Sequence, residues 1–324
     1  MTRGAAALAL TLALVTTARA EGLTAPRVEA PRAPRNAFGA RLDNDVFGDS
    51  DRYFTNLFAL SYGRHLASLT PRRWGPSTLW LDLRAVQSIF TPRYLRLAQP
   101  TWGERPYAGW LRGGAGVVLQ GPRDTFGAFF SLGVVGPGAL GKQTQRAVHT
   151  ILGIYQPEGW DTQLPTRLSI QLGAERAHVR GLPFGDGGRA GIGVFGAGEL
   201  GTIQRELALG VGSFVSWRLQ DAESVAVYSP RLGAAFHGAQ PKVGLGFAGA
   251  FVQRFMLYDH LLETRPAAVG HDVEIERVLY ELRLVAVLRR DPVRIRYAQV
   301  VQSRAFEVQR RAHIWGIAEV ALAF

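Results

Sequence analysis

Cysteine is absent from the 324 residues of this chain, and methionine occurs only twice. Without cysteine the chain can form no disulfide framework, no cysteine zinc site and no thiolate nucleophile. The G-x-S-x-G, H-E-x-x-H and P-loop motifs are also missing. The sequence therefore carries no signal for a serine-hydrolase elbow, a zinc protease or a P-loop nucleotide site. It also lacks blocks of like charge and low-complexity tracts, which disfavours extensive disorder.

A long, mostly apolar run occurs only near the N-terminus. There Arg3 gives a basic start, residues 5–15 are apolar and residues 18–20 form an A-x-A pattern. This combination predicts a secretory signal peptide over residues 1–20. A membrane anchor is the alternative, but the apolar run is short for a bilayer. Residues 21–36, which are rich in Pro, Ala and Arg, are expected to form a flexible lead-in.

Basic residues outnumber acidic ones, and the formal net charge is +11. Removal of Arg3 and Arg19 with a signal peptide would leave +9. A basic exported protein suits anionic lipid or polysaccharide surfaces, whereas nucleic acid is a poor match after export.

Short alternating runs, broken by Gly, Pro, Asp or Asn, make up most of the remaining chain. In residues 278–289 the aliphatic side chains share one face and the charged ones lie opposite, and the closing segment 312–324 repeats the pattern. Such alternation is typical of a barrel with lipid outside and a polar lumen, although a soluble β-sandwich gives the same pattern. Export, strands long enough to cross a membrane and the terminal aromatic Phe324 favour the membrane barrel.

We therefore predict an all-β fold: an antiparallel transmembrane outer-membrane β-barrel of about twelve strands, forming one domain over residues 37–324, with one short inserted helix. The helix is expected at residues 139–153, where apolar and polar side chains separate onto two sides and Gly153 is a plausible stop. The strands are expected near 37–47, 53–64, 79–90, 107–120, 125–136, 166–180, 189–200, 203–218, 242–257, 273–289, 292–304 and 312–324.

The stretch "DNDVFGDSDRYFTN", residues 43–56, holds more acid than strand interiors usually do. Strand alternation places Asp43 and Asp45 on the lumen face of the first strand and Thr55 on the lumen face of the second. Asp45 and Thr55 are therefore expected to share the inner wall. Carboxylate and carbonyl oxygens are the ligands that calcium prefers. For the aspartates at 49 and 51, a polar turn between two strands is the preferred interpretation.

Two further segments carry candidate chemistry. His149 lies on the polar side of the predicted helix, where it is either simply exposed or a general base, since imidazole titrates near neutral pH. In "GERPYAGWL", residues 103–111, Arg105 is a candidate phosphate ligand. An ion pair and aromatic residues at the membrane interface explain that segment equally well.

Taken together, "NDVFGDSDRYFTNLFALSYG", "GERPYAGWL" and "GVVGPGALGKQTQRAVHTILG" followed by "EGWDTQL" resemble the lipid A 3′-O-deacylase family of Gram-negative outer membranes. The resemblance runs from about residue 37 to the C-terminus. It implies a twelve-stranded barrel whose active site lies between the inner barrel wall and a helix near the outer face. It also implies calcium-dependent hydrolysis of the ester that holds the 3′ acyloxyacyl chain on lipid A.

The resemblance also implies the roles of individual residues. His149 corresponds to the family's helix histidine and would be the general base. The family's Asn-Asp pair falls on Asn44 and Asp45, and its threonine falls on Thr55. Asp45 would be the leading calcium ligand, and Asn44 and Thr55 would assist through side chain or backbone. Because neighbouring strand residues point to opposite faces, a bulge is needed if both Asn44 and Asp45 serve the site.

This chain departs from the family pattern at two places. Tyr155 stands where the family has an acidic residue after the histidine. Glu158 or Asp161 is expected to substitute for it, with Glu158 as the candidate metal ligand. An adjacent Lys-Arg pair of some members is missing, so Arg93, Arg96 or Arg105 is expected to bind the sugar phosphates. Lipid A and outer-membrane lipids are the expected partners, and the protein is expected to be a monomer. A phospholipase-type esterase and a non-enzymatic barrel are the alternatives.

Overall fold

The computed structural model describes residues 35–48, 52–69, 77–219, 243–264 and 272–324, all within one compact unit. The predicted signal peptide and the lead-in up to residue 34 lie outside the described residues. The aspartates at 49 and 51 also lie outside them.

Twelve antiparallel strands form a closed barrel within the described part of the chain, and the last strand pairs with the first. This confirms the predicted fold. The largest boundary error is at the tenth strand, expected from residue 273, because Ile275 makes only an isolated bridge to Phe306 before the regular ladder begins. The strands are β1 (Asn36–Asn44), β2 (Tyr53–His65), β3 (Thr78–Thr91), β4 (Ala108–Gln120), β5 (Asp124–Val135), β6 (Arg167–Phe184), β7 (Gly188–Gly201), β8 (Gln204–Trp217), β9 (Val243–Asp259), β10 (Val278–Arg290), β11 (Val293–Gln302) and β12 (His313–Ala323).

The predicted helix is present as α1 (Gly141–Leu152), between β5 and β6. It ends where predicted, because Gly153 adopts a left-handed φ of 66° and its N–H bonds to carbonyls of the last turn. A single further helical turn, α2 (His260–Glu263), follows β9. Short 3₁₀ turns occupy Asp45–Gly48, Ala67–Leu69, Pro137–Ala139 and Gly159–Thr162. No helix among the described residues has both the length and the apolar character needed to cross a membrane.

Alternation along the strands separates the two faces of the barrel. On β10 Glu281 and Arg283 are buried in the lumen, whereas Leu282 and Leu284 are exposed on the outside, as the sequence pattern predicted. The lumenal charges are paired: Arg254 bonds both Glu206 and Glu281. Paired charges fill the lumen because an uncompensated buried charge is strongly unfavourable.

The two ends of the barrel differ in their connections. At one end β1 begins beside the close of β12, where the Asn36 N–H bonds to the Phe324 carbonyl at 2.8 Å. The opposite end, called the loop end below, carries the connections 45–52, 92–107, 136–166 and 303–312. The other end carries the short connections 121–123, 185–187 and 291–292 as well as the longer 66–77 and 218–242. Because more of the long connections lie at the loop end, and long connections are typical of the extracellular side of outer-membrane barrels, the loop end is assigned to the cell exterior.

Candidate functional site between helix α1 and the outer wall

Helix α1 lies against the outside of the barrel. Its first residue, Gly141, is so close to Gly109 that a Cβ on Gly141 would lie 3.0 Å from the Gly109 Cα. Gly109 faces outward, since the next residue, Trp110, lines the lumen. Just before the helix, the Gln87 side chain of β3 donates a 2.8 Å hydrogen bond to the Ala139 carbonyl. The expectation of a site on the inner wall is therefore wrong: the helix covers the outer wall.

The polar side of α1 faces the barrel and its apolar side faces away. Gly141, Gln145 and His149, spaced four residues apart, are buried, whereas Ile151 is 82% exposed and Leu152 is also exposed. A helix on a water-soluble protein would bury the apolar side instead. The reversed orientation suits a helix that borders lipid. We call the space between this buried stripe and the outer faces of β3 and β4 the helix–wall cleft.

Trp160 fixes α1 to the wall. Its indole Nε1 donates a 2.7 Å hydrogen bond to Oε1 of Gln145, in the middle of the buried stripe. Its ring packs against Tyr107, with centroids 5.0 Å apart, and belongs to a buried cluster with Ile89 and Leu95. Trp160 thereby sets the rotation of the helix about its axis, and with it the direction of His149.

Replacing Trp160 with phenylalanine is expected to loosen α1, because the ring packing remains while the hydrogen bond to Gln145 is lost. A buried hydrogen bond contributes about 1 kcal/mol, so amide hydrogen exchange in α1 should accelerate roughly five- to tenfold. Trp102→Phe is the matched control, since Trp102 is 78% exposed on another connection. Unchanged exchange in the Trp160 variant would contradict the anchoring role.

His149 is only 4% exposed, so of the two interpretations left open by the sequence, the exposed one is wrong. Its Nδ1 lies 2.6 Å from the backbone carbonyl of Tyr155. A carbonyl only accepts, so Nδ1 carries a hydrogen, and in the neutral imidazole Nε2 then carries the lone pair. The arrangement fixes both the tautomer and the ring orientation.

Tyr155 thus orients His149 through its backbone, without the acidic side chain of the family pattern. Its own ring meets the imidazole edge-on, with centroids 5.8 Å apart. The Arg96 guanidinium lies over the Tyr155 ring, 4.7 Å from its centroid. Through Tyr155, the structure brings Arg96 near the histidine.

Thr55 lies on the outer side of the wall, contrary to the expectation from alternation. The β2–β3 register shifts at this residue, which has no partner in β3. The bulge lets Phe54 point into the lumen, while the Thr55 hydroxyl lies 2.6 Å from that of Thr91. Thr91 points outward, because Phe90 before it lines the lumen. One extra residue in the strand thus moves Thr55 to the side of the helix.

Asn44 and Asp45 lie where β1 ends, at the loop end. Asn44 faces outward, since it follows the lumenal Asp43, whose carboxylate pairs with Arg41 at 2.6 Å. Asp45 begins a 3₁₀ turn, so strand alternation no longer sets its direction. It is buried and accepts the backbone N–H of Arg52. Because Asp45 lies beyond the end of β1, no bulge between Asn44 and Asp45 is needed to free its direction from strand alternation.

The 3₁₀ turn itself folds over the outer surface of β12. A Cβ on Gly316 would lie 2.6 Å from the Cβ of Phe47, so the turn packs directly on this outward-facing glycine. Phe47 also meets Tyr297 edge-on, with centroids 5.9 Å apart. This packing holds the 3₁₀ turn that follows β1 against the outside of the barrel.

The length of α1 brings His149 towards these strands. The helix starts over Gly109 in β4 and also contacts β3. Eight residues separate Gly141 from His149, which is about 12 Å along a helix axis, or between two and three strand spacings. The helix therefore runs over the outer faces of β4 and β3, and β3 pairs with β2, the strand of Thr55.

The other predicted site residues do not all lie on the same side of the barrel wall as His149. Arg93 is half-buried on the connection after β3, with its guanidinium 5.1 Å from the Tyr94 ring centroid. Glu158 is exposed, and its backbone N–H bonds to the Leu95 carbonyl. Arg105 lies on the lumenal side of the wall, over Phe90 at 4.6 Å, and is not brought to His149.

Within the described residues, no three His, Asp or Glu side chains come together as a metal-binding group. Asp161, the other acid after the helix, is exposed and pairs with Lys142 at 2.6 Å. This ion pair lowers the pKa of Asp161.

Sequence reasoning missed the residues that hold the cleft together: Gln145, Trp160 and Thr91. A signal existed for Gln145, which lies four residues before His149 and hence on the same side of the helix. Trp160 stands in the quoted "EGWDTQL" segment, but nothing local indicated its partner.

A family model, that of outer membrane protein LpxR, matches residues 5–324 of this sequence. The chain belongs to the LpxR family. LpxR from Salmonella typhimurium has the same fold: the TM-score is 0.77 at 16% sequence identity, with 89% of this chain and 100% of that one covered. The β domain of the Bordetella autotransporter BrkA is more distant, with a TM-score of 0.44 at 7% identity over 90% and 99% of the two chains. Comparison with curated proteins finds no match.

Membership of the LpxR family confirms the resemblance drawn from the sequence motifs. The closed barrel and the family together identify an outer-membrane protein of a Gram-negative bacterium.

Proposed function

We propose that this LpxR-family protein is a lipid A 3′-O-deacylase, an esterase that removes the 3′-linked acyloxyacyl chain from lipid A. The observation that carries the proposal is a buried histidine of fixed tautomer under a helix on the lipid-facing side of the barrel. A lipid of the outer leaflet can reach this position laterally, without entering the lumen. Lipid A and other outer-membrane lipids are the proposed partners.

His149 is the proposed general base. Nε2 takes a proton from water as the water oxygen attacks the ester carbonyl carbon. The ester C–O bond then breaks, and the 3′ oxygen of the sugar receives the proton from the imidazole. The products are the free 3′-hydroxyl and the acyloxyacyl carboxylic acid. The Tyr155 carbonyl stabilises the imidazolium that forms between the two steps, because it accepts the Nδ1 hydrogen at 2.6 Å.

Thr55 and Asn44 are proposed to orient the water and the ester. Both lie on the outer side of the wall, and both side chains offer donors as well as acceptors. The Thr55–Thr91 hydroxyl pair at 2.6 Å holds one of these groups in place. Preorganised donors of this kind stabilise the oxyanion of ester hydrolysis.

Calcium is the proposed cofactor, and the residues fit it in kind. Asn44 and Asp45 supply amide and carboxylate oxygens, which hard cations prefer, and Glu158 is proposed as a further carboxylate. The Asn44 oxygen now accepts the Val46 N–H at 2.8 Å, and the described acids do not form a group of three. Water and backbone carbonyls would therefore complete the coordination. When bound, the ion would polarise the ester carbonyl and stabilise negative charge on its oxygen.

The substrate's phosphates are proposed to bind cations on the connection after β3. Arg96 is held against Tyr155, next to the histidine, and Arg93 lies three residues earlier. The formal net charge of +11 also favours an anionic lipid.

Chelation of divalent cations is expected to lower turnover of lipid A by the purified protein at least about tenfold. Asn44 and Asp45 supply no positive charge that could take the place of the ion. Calcium should restore the rate and magnesium should not, since magnesium demands a stricter octahedral site. Full activity in excess chelator would contradict the metal requirement.

The same preparation separates the proposed activity from its rivals. Lipid A and a diacyl phosphoglyceride are offered in the same detergent, and released acids are identified by mass spectrometry. Release of the acyloxyacyl acid from lipid A, with little acid from the phosphoglyceride, supports the deacylase. Equal release from both would indicate a phospholipase-type esterase, and no release would indicate a non-enzymatic barrel.

A further inference from the structure

We propose that the lumen at the loop end binds a short- or medium-chain fatty acid, with Arg105 as the residue that binds its carboxylate. This site is separate from the helix–wall cleft, because the barrel wall lies between them. It is independent of the proposed esterase chemistry.

The site is a cavity of about 240 Å³ inside the barrel. Its upper walls come from the ends of strands and from the connections of the loop end, including Tyr53, Arg105 and His313. Apolar side chains such as Met256 and Leu279 also line the cavity. Further into the lumen the lining includes the paired charges of Arg254 and Glu281. A space of this size accepts a small amphiphile.

Arg105 has an unusual environment in this cavity. It is only 6% exposed, and its guanidinium forms no hydrogen bond or ion pair with any residue in the described part of the chain. The guanidinium lies over the face of Phe90, 4.6 Å from the ring centroid. Burial lowers the pKa of Arg105 to about 10 despite the attraction of Asp259 and Glu104. A buried cation without a partner is unfavourable, and an anion in the cavity would compensate it.

Neighbouring charged residues are already satisfied. Arg254 and Arg283 form ion pairs with Glu281. The Asp259 carboxylate accepts hydrogen bonds from the Leu261 N–H at 2.9 Å and from the Gln204 amide. Among the described residues, Arg105 is therefore the lining cation left for a ligand. A guanidinium binds a carboxylate through two parallel hydrogen bonds.

A continuous aromatic wall begins at Arg105 and favours an apolar body behind the carboxylate. Successive ring centroids lie 5.5 Å apart between Phe90 and Phe54 and 5.6 Å apart between Phe54 and Trp315. The wall continues to His313 at 5.3 Å and from there to Tyr53 at 5.6 Å. Aromatic faces with one polar anchor are typical of pockets for small amphiphilic ligands.

The test uses the full protein in lipid nanodiscs, so that no detergent occupies the lumen. Binding of hexanoate at pH 7 is measured by saturation-transfer NMR, with empty nanodiscs as the blank and hexanol as the uncharged analogue. Hexanoate is expected to bind at least tenfold more tightly than hexanol. Arg105→Gln should remove this difference, and Arg105→Lys should retain part of it because a single charge remains.

Arg93→Gln and His149→Ala are the controls. Arg93 lies on the same connection but stacks on Tyr94, and His149 belongs to the outer cleft, so both variants should bind hexanoate like the wild type. Equal affinity for hexanoate and hexanol in the wild type would overturn the proposal, even if Arg105→Gln did not fold. Wild-type affinity in a folded Arg105→Gln protein would also overturn it. Loss of esterase activity alone, in any variant, does not affect this outcome.

Discussion

Replacing His149 with glutamine is expected to lower lipid A deacylation by about 10²–10⁴-fold, the usual contribution of a general base. Glutamine has a similar reach and can still donate to the Tyr155 carbonyl, so α1 should stay docked. It has no nitrogen lone pair that can accept the proton of water. The rate loss should therefore appear in kcat, with KM little changed, in steady-state assays on purified protein.

His178→Gln is the matched control for this substitution. His178 is an exposed histidine on β6, next to Asp124 at the end of the barrel opposite the loop end. The same chemical change there should leave kcat and KM at wild-type values. If the His149 variant kept a third or more of the wild-type kcat, His149 would not be the base.

Replacing Gly109 with leucine is expected to lift α1 from the wall. A Cβ on Gly109 would already lie 3.1 Å from the Gly141 nitrogen and 3.2 Å from the Ala139 Cβ, so a leucine side chain has no room under the helix. His149 would then lose its position against the outer wall. We expect turnover to fall about a hundredfold, as when a catalytic group is displaced by about 1 Å or more.

Gly113→Leu provides the control on the same strand. Gly113 also faces outward on β4, but the nearest atom to its added Cβ is the Arg84 carbonyl oxygen at 3.8 Å. A leucine there should be accommodated by lipid and leave turnover unchanged. Both proteins must show the same resistance to unfolding by denaturant, so that a general barrel defect is excluded. Equal activity of the two variants would contradict the docking of α1 on Gly109.

Much of the fold was predictable because the barrel follows a simple rule. Alternation placed Arg41 and Asp43 in the lumen and Leu282 and Leu284 outside, and the structure confirms both assignments. Helical periodicity found α1, and Gly153 ended it where a left-handed residue was needed. These features depend only on local residue order.

The location of the candidate site was not predictable in the same way. A helical wheel separates two sides of α1 but does not say which side meets the protein, since the answer depends on whether lipid or water lies outside. The bulge at Thr55 reversed the direction of that side chain, and no residue in its neighbourhood signals the irregularity. Arg105 precedes β4, which begins at Ala108, so strand alternation does not set the direction of the arginine side chain.

Mass spectrometry of lipid A is the measurement that tests the proposed function most directly. Lipid A is extracted from a Gram-negative host that makes this protein, beside a host that makes the His149→Gln variant at equal level in the outer membrane. We predict a mass loss equal to the 3′ acyloxyacyl group in the first sample and none in the second. Unmodified lipid A in both samples, with folded protein in the outer membrane, would contradict the assignment as a lipid A deacylase.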